Sequence, residues 1–307
     1  MFGLGGAFLY GSCVQCGALT LRNPPAMMEM YYPPDKYYSL GEGHPDWSQR
    51  PEGWRGLAAR ATNEFKLFRR NLVGAGKQLV RSGNFDGVRD YRWNLRARAS
   101  GAKILDVGCG AGQWLHSLAN LGFKNLWGID PYLSTELEDP PRIHLLRRSV
   151  SEFSEKEFDF INLSHSLEHM ADHRSVFSWI RQALSPKGLC RIEIPVCDSD
   201  AFSIYRERWI ELDAPRHLVL HTNRSISHLA AESGLRITRI AQTGFGLEYW
   251  GSEFYLRGLT YYDYERGRLR NPSDVFSVSE LSNLKTRARE SSKRDRSGRR
   301  AYYFEVA

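Results

Sequence analysis

The pattern of hydrophobic and polar positions changes near residue 101. Before it, residues 54–95 are mostly helix formers with apolar positions at helical spacing, interrupted at Gly74 and Gly76. After it, short apolar runs alternate with amphipathic stretches, a pattern that predicts strands alternating with helices. The sequence therefore predicts a helical segment followed by an α/β domain.

The apolar runs after residue 101 predict seven strands, and the amphipathic stretches predict three helices. The predicted strands are 103–107, 125–129, 143–146, 158–163, 189–194, 235–242 and 301–306. The predicted helices are 113–121, 174–184 and 225–233, with a turn at 185–188. This alternation predicts an α/β fold with a doubly wound, mostly parallel seven-stranded sheet and helices on both faces, the Rossmann-like arrangement.

Three regions are predicted along the chain. Residues 1–42 are rich in Gly, Pro and Tyr and are expected to be an irregular segment that carries half a zinc knuckle. Residues 43–100 are expected to form a helical lid, and residues 101–307 the main domain. An insertion at about 243–300 separates the sixth strand from the seventh.

A glycine loop between the first predicted strand and its helix indicates a ligand site. Gly108, Gly110 and Gly112 allow the backbone to approach a ligand closely at a helix start. Asp106, just before them, would repel a pyrophosphate and suits a cationic ligand. Asp130 ends the next strand, where a carboxylate can accept the hydroxyls of a ribose. A ribose, a cation and no phosphate describe S-adenosylmethionine.

The same segment resembles a known family of enzymes. It carries the blocks LDVGCGAG (105–112), GIDP (128–131), FDFINLSHSLEHM (158–170), LSPKGLCRIEIP (184–195) and LDAPRHLVLHT (212–222). These blocks, in this order, resemble class I S-adenosylmethionine-dependent methyltransferases of the bacterial small-molecule and glycan group. The blocks are specific for fold and cofactor and carry little information about the acceptor.

The resemblance implies which residues hold the cofactor, S-adenosylmethionine. Asp106, Gly108 and Gly110 would face its methionine part, Asp130 its ribose, and the backbone at Ser149 and Val150 its adenine. The full set of candidate cofactor-binding residues is Asp106, Gly108, Cys109, Gly110, Gly112, Asp130, Pro131, Ser149, Val150 and Ser164.

Histidines supply the candidate catalytic groups. Transfer of a methyl group to an alcohol requires removal of the hydroxyl proton, and a histidine near the acceptor can accept it. We predict His217 and His169 in this role, each beyond the end of a predicted strand. A structural hydrogen bond is the alternative for each. Asp213 and Arg216 either hold acceptor hydroxyls or pair with each other.

Two motifs in the sequence resemble metal-binding motifs, and neither is predicted to form a complete metal site. His165, Glu168 and His169 match the H-x-x-E-H signature of a zinc peptidase, but they follow the fourth strand of a predicted parallel sheet, and the methyltransferase resemblance accounts for them. Cys13 and Cys16 form half of a zinc ribbon, as in some methyltransferases of this group. Four ligands are needed and no other knuckle precedes Cys13, so the expectation is either that the chain starts late or that the ribbon has decayed and binds no metal.

Charge and composition limit the other classes. The formal charge of +7 is concentrated in two basic stretches, 64–98 and 285–300. They suit either solvated helix faces or an anionic partner, and they leave open a weak association with an anionic membrane surface. No aromatic pattern of nucleic-acid-binding modules accompanies them. Five sparse cysteines and the absence of a long apolar run predict a cytoplasmic protein without a transmembrane segment or a disulfide framework.

The predicted function is methyl transfer from S-adenosylmethionine, with oxygen as the favoured atom. The favoured acceptor is a sugar or another polyhydroxylated metabolite of cell-envelope polysaccharide synthesis, with aromatic side chains stacking on the sugar faces or, alternatively, belonging to the core. These aromatic residues are Tyr205, Trp209, Tyr249, Trp250 and Tyr255.

Three rival functions remain open. A quinone-like or lipid acceptor would use the same cofactor residues. A nucleic-acid methyltransferase is disfavoured because Asn162-Leu-Ser-His stands where an N-P-P-Y tetrapeptide is expected. A non-catalytic S-adenosylmethionine-binding protein would be expected to have lost Asp106, Asp130 or a glycine of the loop.

Overall fold

A computed structural model of the chain describes residues 5–32, 101–121, 123–139 and 142–307. The predicted helical lid at 43–100 lies outside these residues. The helices are α1 (Gln113–Leu121), α2 (His173–Ala183), α3 (Asp200–Tyr205), α4 (Asn223–Glu232), α5 (Leu247–Leu256) and α6 (Val278–Lys293). The first seven strands are β1 (Tyr10–Ser12), β2 (Leu19–Leu21), β3 (Lys103–Val107), β4 (Asn125–Ile129), β5 (Leu137–Asp139), β6 (Ile143–Leu146) and β7 (Phe158–Ser164). The remaining strands are β8 (Leu184–Pro195), β9 (Val219–Leu220), β10 (Leu235–Gln242), β11 (Tyr262–Asp263), β12 (Arg268–Leu269) and β13 (Arg299–Val306).

The main sheet has eight strands in the order β10-β13-β8-β7-β3-β4-β6-β5. Strand β3 pairs in parallel with both β4 and β7, and β4 pairs in parallel with β6. This confirms the predicted α/β class and the mostly parallel sheet. The strand that the sequence did not predict is β5, a short antiparallel edge next to β6.

The element boundaries follow local sequence signals. Helix α4 begins after Thr222, whose side chain accepts a hydrogen bond from the Ser225 N–H, and α6 begins at a capping box made by Ser277 and Glu280. The predicted turn at 185–188 is wrong, because β8 begins at Leu184 and includes it. Residues 285–293 of the basic stretch 285–300 lie in α6.

Two compact units are distinguished by their contacts. One contains residues 5–32, Ser164–Phe177 and Ile192–Tyr303. The other contains the described residues between 101 and 163 together with Ser178–Arg191 and Phe304–Ala307. The first unit is called the histidine unit below, and the second is called the glycine-loop unit.

The beginning of the described chain belongs to the histidine unit and is more regular than predicted. Strands β1 and β2 form an antiparallel hairpin around the Cys13–Cys16 turn, and β2 pairs with β9. The hairpin therefore adds a small three-stranded sheet where an irregular segment was expected.

The five aromatic residues expected to stack on sugars lie in the histidine unit. Trp209 and Tyr249 are each 1% exposed, and the other members are buried or packed against the same cluster. Trp209 and Tyr249 therefore have no ring face that could stack on a sugar, and the core interpretation is the correct one for these two.

Candidate active site

The glycine loop joins β3 to α1 in the glycine-loop unit. Gly108, Gly110 and Gly112 all have positive φ angles, of 76°, 52° and 76°, in a region that favours glycine. The N–H groups of Gly108 and Cys109 donate to the Ile129 carbonyl at 2.8 and 3.2 Å. Hydrogen bonds therefore hold the loop against the end of β4, in the strand-to-helix turn where a ligand can approach the backbone closely.

Asp130 follows β4 and connects two loops. One of its carboxylate oxygens accepts the Gly110 N–H at 2.9 Å, and the other accepts the Tyr132 N–H at 2.8 Å. The side chain is 9% exposed. Since each carboxylate oxygen can accept more than one hydrogen bond, both retain capacity for ligand hydroxyls. The residue predicted to hold a ribose thus keeps the acceptor atoms that such a role needs.

Asp106 lies in β3 with a buried carboxylate. Burial raises its pKa to about 7, while a hydrogen bond from Asn162 and the charge of Arg191 act in the opposite direction. The Asn162 amide donates to the carboxylate at 2.8 Å, and the Arg191 guanidinium donates to the Asn162 side-chain oxygen at 3.0 Å. The sequence reasoning did not identify Asn162 and Arg191, although a polar residue within the apolar strand FDFINLS is a signal that could have found Asn162.

The remaining predicted cofactor residues have varied surroundings. Cys109 is buried, with its sulfur 3.4 Å from the Gly110 carbonyl oxygen, and Pro131 is exposed. Ser149 caps a short turn at Val150–Glu152, where its hydroxyl donates to Glu152 at 2.6 Å. Ser164 is the exposed last residue of β7. Their contacts to a cofactor stay predictions.

The histidine unit brings the two predicted catalytic residues together. The imidazole centroids of His169 and His217 are 4.8 Å apart, in an edge-to-face arrangement. One ligand atom each from Glu168, His169 and His217 lies within 4.8 Å of the other two. These three residues, called the Glu-His-His cluster below, were not predicted to form a site as a set.

Backbone carbonyls fix how the two imidazoles are presented. His169 Nδ1 is 3.0 Å from the Arg216 carbonyl oxygen, and His217 Nδ1 is 2.7 Å from the Glu211 carbonyl oxygen. A carbonyl oxygen can only accept, so each Nδ1 carries the proton. In the neutral ring the lone pair is then on Nε2, which is the atom available to take a proton or bind a cation.

Glu168 and His169 differ in what shifts their pKa values. Burial lowers the pKa of His169 to about 4, with the charge of His217 acting in the same direction. Burial alone would raise the pKa of Glu168, but its hydrogen bond with His165 and the charges that the neighbouring histidines carry when they are protonated hold this pKa well below its usual range. At neutral pH Glu168 is therefore an anion beside a neutral His169 imidazole.

Asp213 and Arg216 form an ion pair, one of the two alternatives that the sequence left open. Asp213 Oδ2 also lies 3.8 Å from His217 Nε2. The Ala214–Pro215 peptide between them is cis. Because Asp213 and Arg216 neutralise each other, neither charge requires a bound methyl acceptor to balance it.

The local structure of the H-x-x-E-H match differs from that of a zinc peptidase, and two further histidines near it, His173 and His221, make structural hydrogen bonds. Residues Leu167–His169 form a short 3₁₀ turn, whereas a zinc peptidase carries its histidines on a helix. His173 Nδ1 lies 2.6 Å from His221 Nε2, and His221 in turn contacts the Ser225 hydroxyl at 2.9 Å. These two buried histidines are accounted for by structural hydrogen bonds.

The cysteine turn in the β1–β2 hairpin carries two partly exposed free thiols. Hydrogen bonds from the backbone N–H groups of Cys16 and Gln15 lower the pKa of Cys13. Within residues 5–32 and the other described ranges, no further metal-ligating side chain joins Cys13 and Cys16. The pair remains half of a tetrahedral site.

Comparison with known proteins supports a single family. The sequence model of a family described as a methyltransferase domain matches residues 83–240, just over half of the chain. A ubiquinone biosynthesis O-methyltransferase from Thiobacillus denitrificans is 33% identical over 110 residues, which cover 32% of this chain and 46% of that protein. A tRNA U34 carboxymethyltransferase from Idiomarina loihiensis is 28% identical over 163 residues, covering 44% of this chain and 50% of that protein. The chain thus matches about half the length of these curated relatives, or less.

Solved structures include similar folds at low sequence identity. An S-adenosylmethionine-dependent methyltransferase from Archaeoglobus fulgidus has a TM-score of 0.43 and 17% identity, covering 78% of this chain and 96% of that chain. A geranyl diphosphate C-methyltransferase from Streptomyces coelicolor has a TM-score of 0.44 and 12% identity, covering 71% of this chain and 76% of that chain.

Proposed function

Because the chain belongs to the family of methyltransferase domains matched over residues 83–240, we propose that it methylates an oxygen atom of a small hydroxylated acceptor. S-adenosylmethionine is the methyl donor. When bound, it supplies an electrophilic methyl group on a sulfonium. The chain's own contribution is to hold the donor, orient the acceptor and remove the hydroxyl proton.

The cofactor residues in this proposal are those of the glycine-loop unit. Asp106 would pair with the cationic methionine part, for which its buried carboxylate is held in place by Asn162. Asp130 would accept the ribose hydroxyls with the lone pairs that Gly110 and Tyr132 leave available. The observation that carries the proposal is this pair of buried carboxylates beside a positive-φ glycine loop, because a phosphate-bearing cofactor would be repelled there.

Acceptor activation is assigned to His217 and His169. Their Nδ1 protons are engaged by backbone carbonyls, so Nε2 is the atom that each ring has available to accept a proton. An O-methylation needs such a group because an alcohol is a poor nucleophile until its proton is removed. A methyl transfer to carbon or to an already deprotonated amine would not require it.

The acceptor itself is proposed at the level of class. A sugar or polyhydroxylated metabolite of the cell envelope is the first candidate, although the buried aromatic cluster no longer supports it. A quinone-like aromatic acceptor is the second candidate, and the similarity to ubiquinone biosynthesis O-methyltransferases favours it.

Ion pairs made by the basic stretch 285–300 argue against a nucleic-acid acceptor. Arg299 and Arg300 pair internally with Glu211 and Asp198, and Arg294 and Arg296 share Asp200. Four of its cations are thereby partly neutralised within the chain, which leaves less charge for phosphates.

Calorimetry tests the donor site. Wild-type protein should bind S-adenosylmethionine and its demethylated product, and Asp130→Ala should weaken both by more than about tenfold. Asp159→Ala, a change at an exposed carboxylate of the same unit, is the matched control and should bind normally. An absence of binding by the wild type would overturn the proposal.

Methyl transfer to acceptor panels tests the acceptor. Radiolabelled donor is incubated with nucleotide-linked sugars, with hydroxylated quinone-like aromatics and with tRNA. His217→Ala should bind the donor as the wild type does and lose turnover, whereas His228→Ala, at an exposed position, should keep it. Labelled tRNA alone would exclude the small-molecule acceptor, and full turnover by His217→Ala would exclude its assigned role.

A further inference from the structure

We propose that Glu168, His169 and His217 bind a divalent transition-metal ion of the zinc type. One ligand atom from each of the three residues lies within 4.8 Å of the other two. They come from two separate segments, the turn after β7 and the loop before β9, so chain proximity alone does not explain the grouping of His217 with the other two. The ion binding is independent of the proposed function, whereas the ion's role described below rests on it.

The carboxylate of Glu168 points to a missing partner. Glu168 is 1% exposed, and its Oε1 lies 3.3 Å from His165 Nδ1. Its Oε2 is buried and has no hydrogen-bond partner among the residues that the structure describes. A buried carboxylate oxygen without a partner is costly, and a cation bound to it would remove that cost.

Both imidazoles are held as metal-binding histidines usually are. In such sites the nitrogen that does not bind the metal donates to a backbone carbonyl or a carboxylate, which fixes the tautomer and the ring orientation. His169 donates from Nδ1 to the Arg216 carbonyl, and His217 donates from Nδ1 to the Glu211 carbonyl. The Nε2 atoms of both rings are therefore the coordinating atoms.

The donor set selects the class of ion. Two imidazole nitrogens and one carboxylate oxygen suit Zn²⁺, Co²⁺, Fe²⁺ or Mn²⁺ better than Mg²⁺ or Ca²⁺, which prefer oxygen ligands. Ligand atoms about 2.1 Å from a tetrahedral ion are about 3.4 Å apart, so the side chains draw together on binding. Three protein ligands leave a position open, as in catalytic zinc sites.

The charges around the cluster are compatible with a cation. Arg216 is the nearby permanent cation, and its ion pair with Asp213 offsets its charge. Asp213 Oδ2, 3.8 Å from His217 Nε2, adds a negative charge on the same side. Glu168 itself supplies a carboxylate oxygen, which is a ligand of the kind that such an ion binds.

The open position gives the ion a place in the proposed O-methylation. An acceptor hydroxyl bound at that position would become more acidic, and its proton would pass to water or a buffer base. The oxygen then forms the new C–O bond as the donor's C–S bond breaks. With the ion bound, His169 and His217 would promote loss of the proton by holding the ion, and the role of base assigned to them above would apply to the ion-free protein.

Metal content measured without donor or acceptor tests the binding. A Cys13→Ser/Cys16→Ser background first removes the thiols that could hold zinc elsewhere. After equilibration with Zn²⁺ and dialysis, this protein should retain one ion per chain by mass spectrometry, and Co²⁺ should give the visible absorption of a low-coordinate nitrogen–oxygen site. Glu168→Gln and His217→Gln should each weaken Zn²⁺ affinity by at least about tenfold.

His228→Gln is the matched control, because His228 is an exposed histidine on α4. It should retain the ion with unchanged affinity. Circular dichroism identifies variants that remain folded, and at least one folded variant of the cluster must show the loss. Zinc content of the background protein near zero, or equal affinity in folded Glu168→Gln, would overturn the metal site.

Chelation separates the ion from the methyltransferase function. Chelated protein should bind S-adenosylmethionine normally, lose turnover by at least about tenfold and regain it with Zn²⁺. Full turnover after chelation would overturn the ion's role while leaving the proposed function intact. Failure of wild-type protein to bind the donor would instead overturn the proposed function and leave the metal measurement valid.

Discussion

The side-chain amide of Asn162 donates a hydrogen bond to the buried carboxylate of Asp106 across 2.8 Å. The two residues face each other in register on the neighbouring strands β3 and β7. Arg191 donates to the same Asn162 side chain from the other direction. The cost of burying the carboxylate is therefore only partly offset, because its nearest partner is neutral and the guanidinium acts through it.

The raised pKa of Asp106 predicts that this residue destabilises the ligand-free protein at alkaline pH. With a pKa of about 7 when folded and about 3.8 when unfolded, its contribution to stability is fully present below pH 3.8 and is lost as the pH rises through about 7. Asp106→Asn, which stays neutral, should be more stable than wild type at pH 8 by roughly 1 to 4 kcal/mol. Urea unfolding at pH 4 and pH 8 measures this, and the difference should vanish at pH 4.

The same substitution should weaken donor binding. Titration with S-adenosylmethionine should show wild-type affinity rising as the pH increases from about 6 to 8, because the ionised carboxylate pairs with the ligand cation. Asp106→Asn should bind at least about tenfold more weakly at pH 8 and lose that rise. Glu207→Gln, at an exposed carboxylate, is the control. A rise that persists in Asp106→Asn would assign the pH dependence to another group.

A side chain at position 128 should destabilise the protein. A Cβ at this position of β4 would lie 2.7 Å from Leu115, 2.8 Å from the Cys109 sulfur and 2.8 Å from Leu145. Gly128→Ala should therefore lower the free energy of unfolding by about 1–3 kcal/mol through overpacking. Gly101→Ala, where an added Cβ meets nothing within 4 Å, should change it by less than about 0.5 kcal/mol. Equal effects would show that the packing at Gly128 relaxes freely.

Trp209 should behave as a core residue. Trp209→Ala should destabilise the protein by about 3–5 kcal/mol, since the side chain is 1% exposed. Ile204→Ala, at a side chain 51% exposed, is the control and should cost little. Thermal unfolding distinguishes the two, and a stable Trp209→Ala variant with an impaired acceptor KM would restore the sugar-stacking interpretation.

Arg300 should matter for stability despite belonging to a basic stretch. It is 1% exposed and pairs with Asp198 at 2.8 Å. Arg300→Gln leaves the half-buried Asp198 without this partner and should cost about 1–3 kcal/mol, less than a fully buried pair because Asp198 stays partly hydrated. Arg289→Gln on the exposed side of α6 removes the same charge and should change the unfolding midpoint little. Matching losses would mean that net charge, not pairing, sets the effect.

The sequence predicted the elements whose signals are local. Helix α1 and strands β3, β4, β6 and β10 begin and end at the predicted residues, because apolar runs there are bounded by glycine, proline or charged residues. The turn at 185–188 failed because a Pro and a Gly can lie within a long strand when its partners permit it. Asp106 was identified because it precedes the glycine loop, and Asp130 because it follows a predicted strand.

Contacts between residues far apart in the chain could not be predicted from the sequence. The approach of His217 to Glu168 and His169, and of Asn162 to Asp106, depends on which strands are neighbours and on their register. The burial of Trp209 and Tyr249 depends likewise on packing against α5 and α6. A periodicity identifies an apolar face without specifying what covers it.

The place of β13 between β10 and β8 has a consequence for synthesis of the protein on the ribosome. Strand β8 is translated more than a hundred residues before β13, and β10 more than fifty, so both wait with unpaired backbone edges until β13 emerges. Exposed edges of this kind pair readily with other chains. Nascent protein is thus most vulnerable to aggregation during translation of the segment from α5 to α6, and a release that precedes Arg299 yields a sheet with a gap inside it.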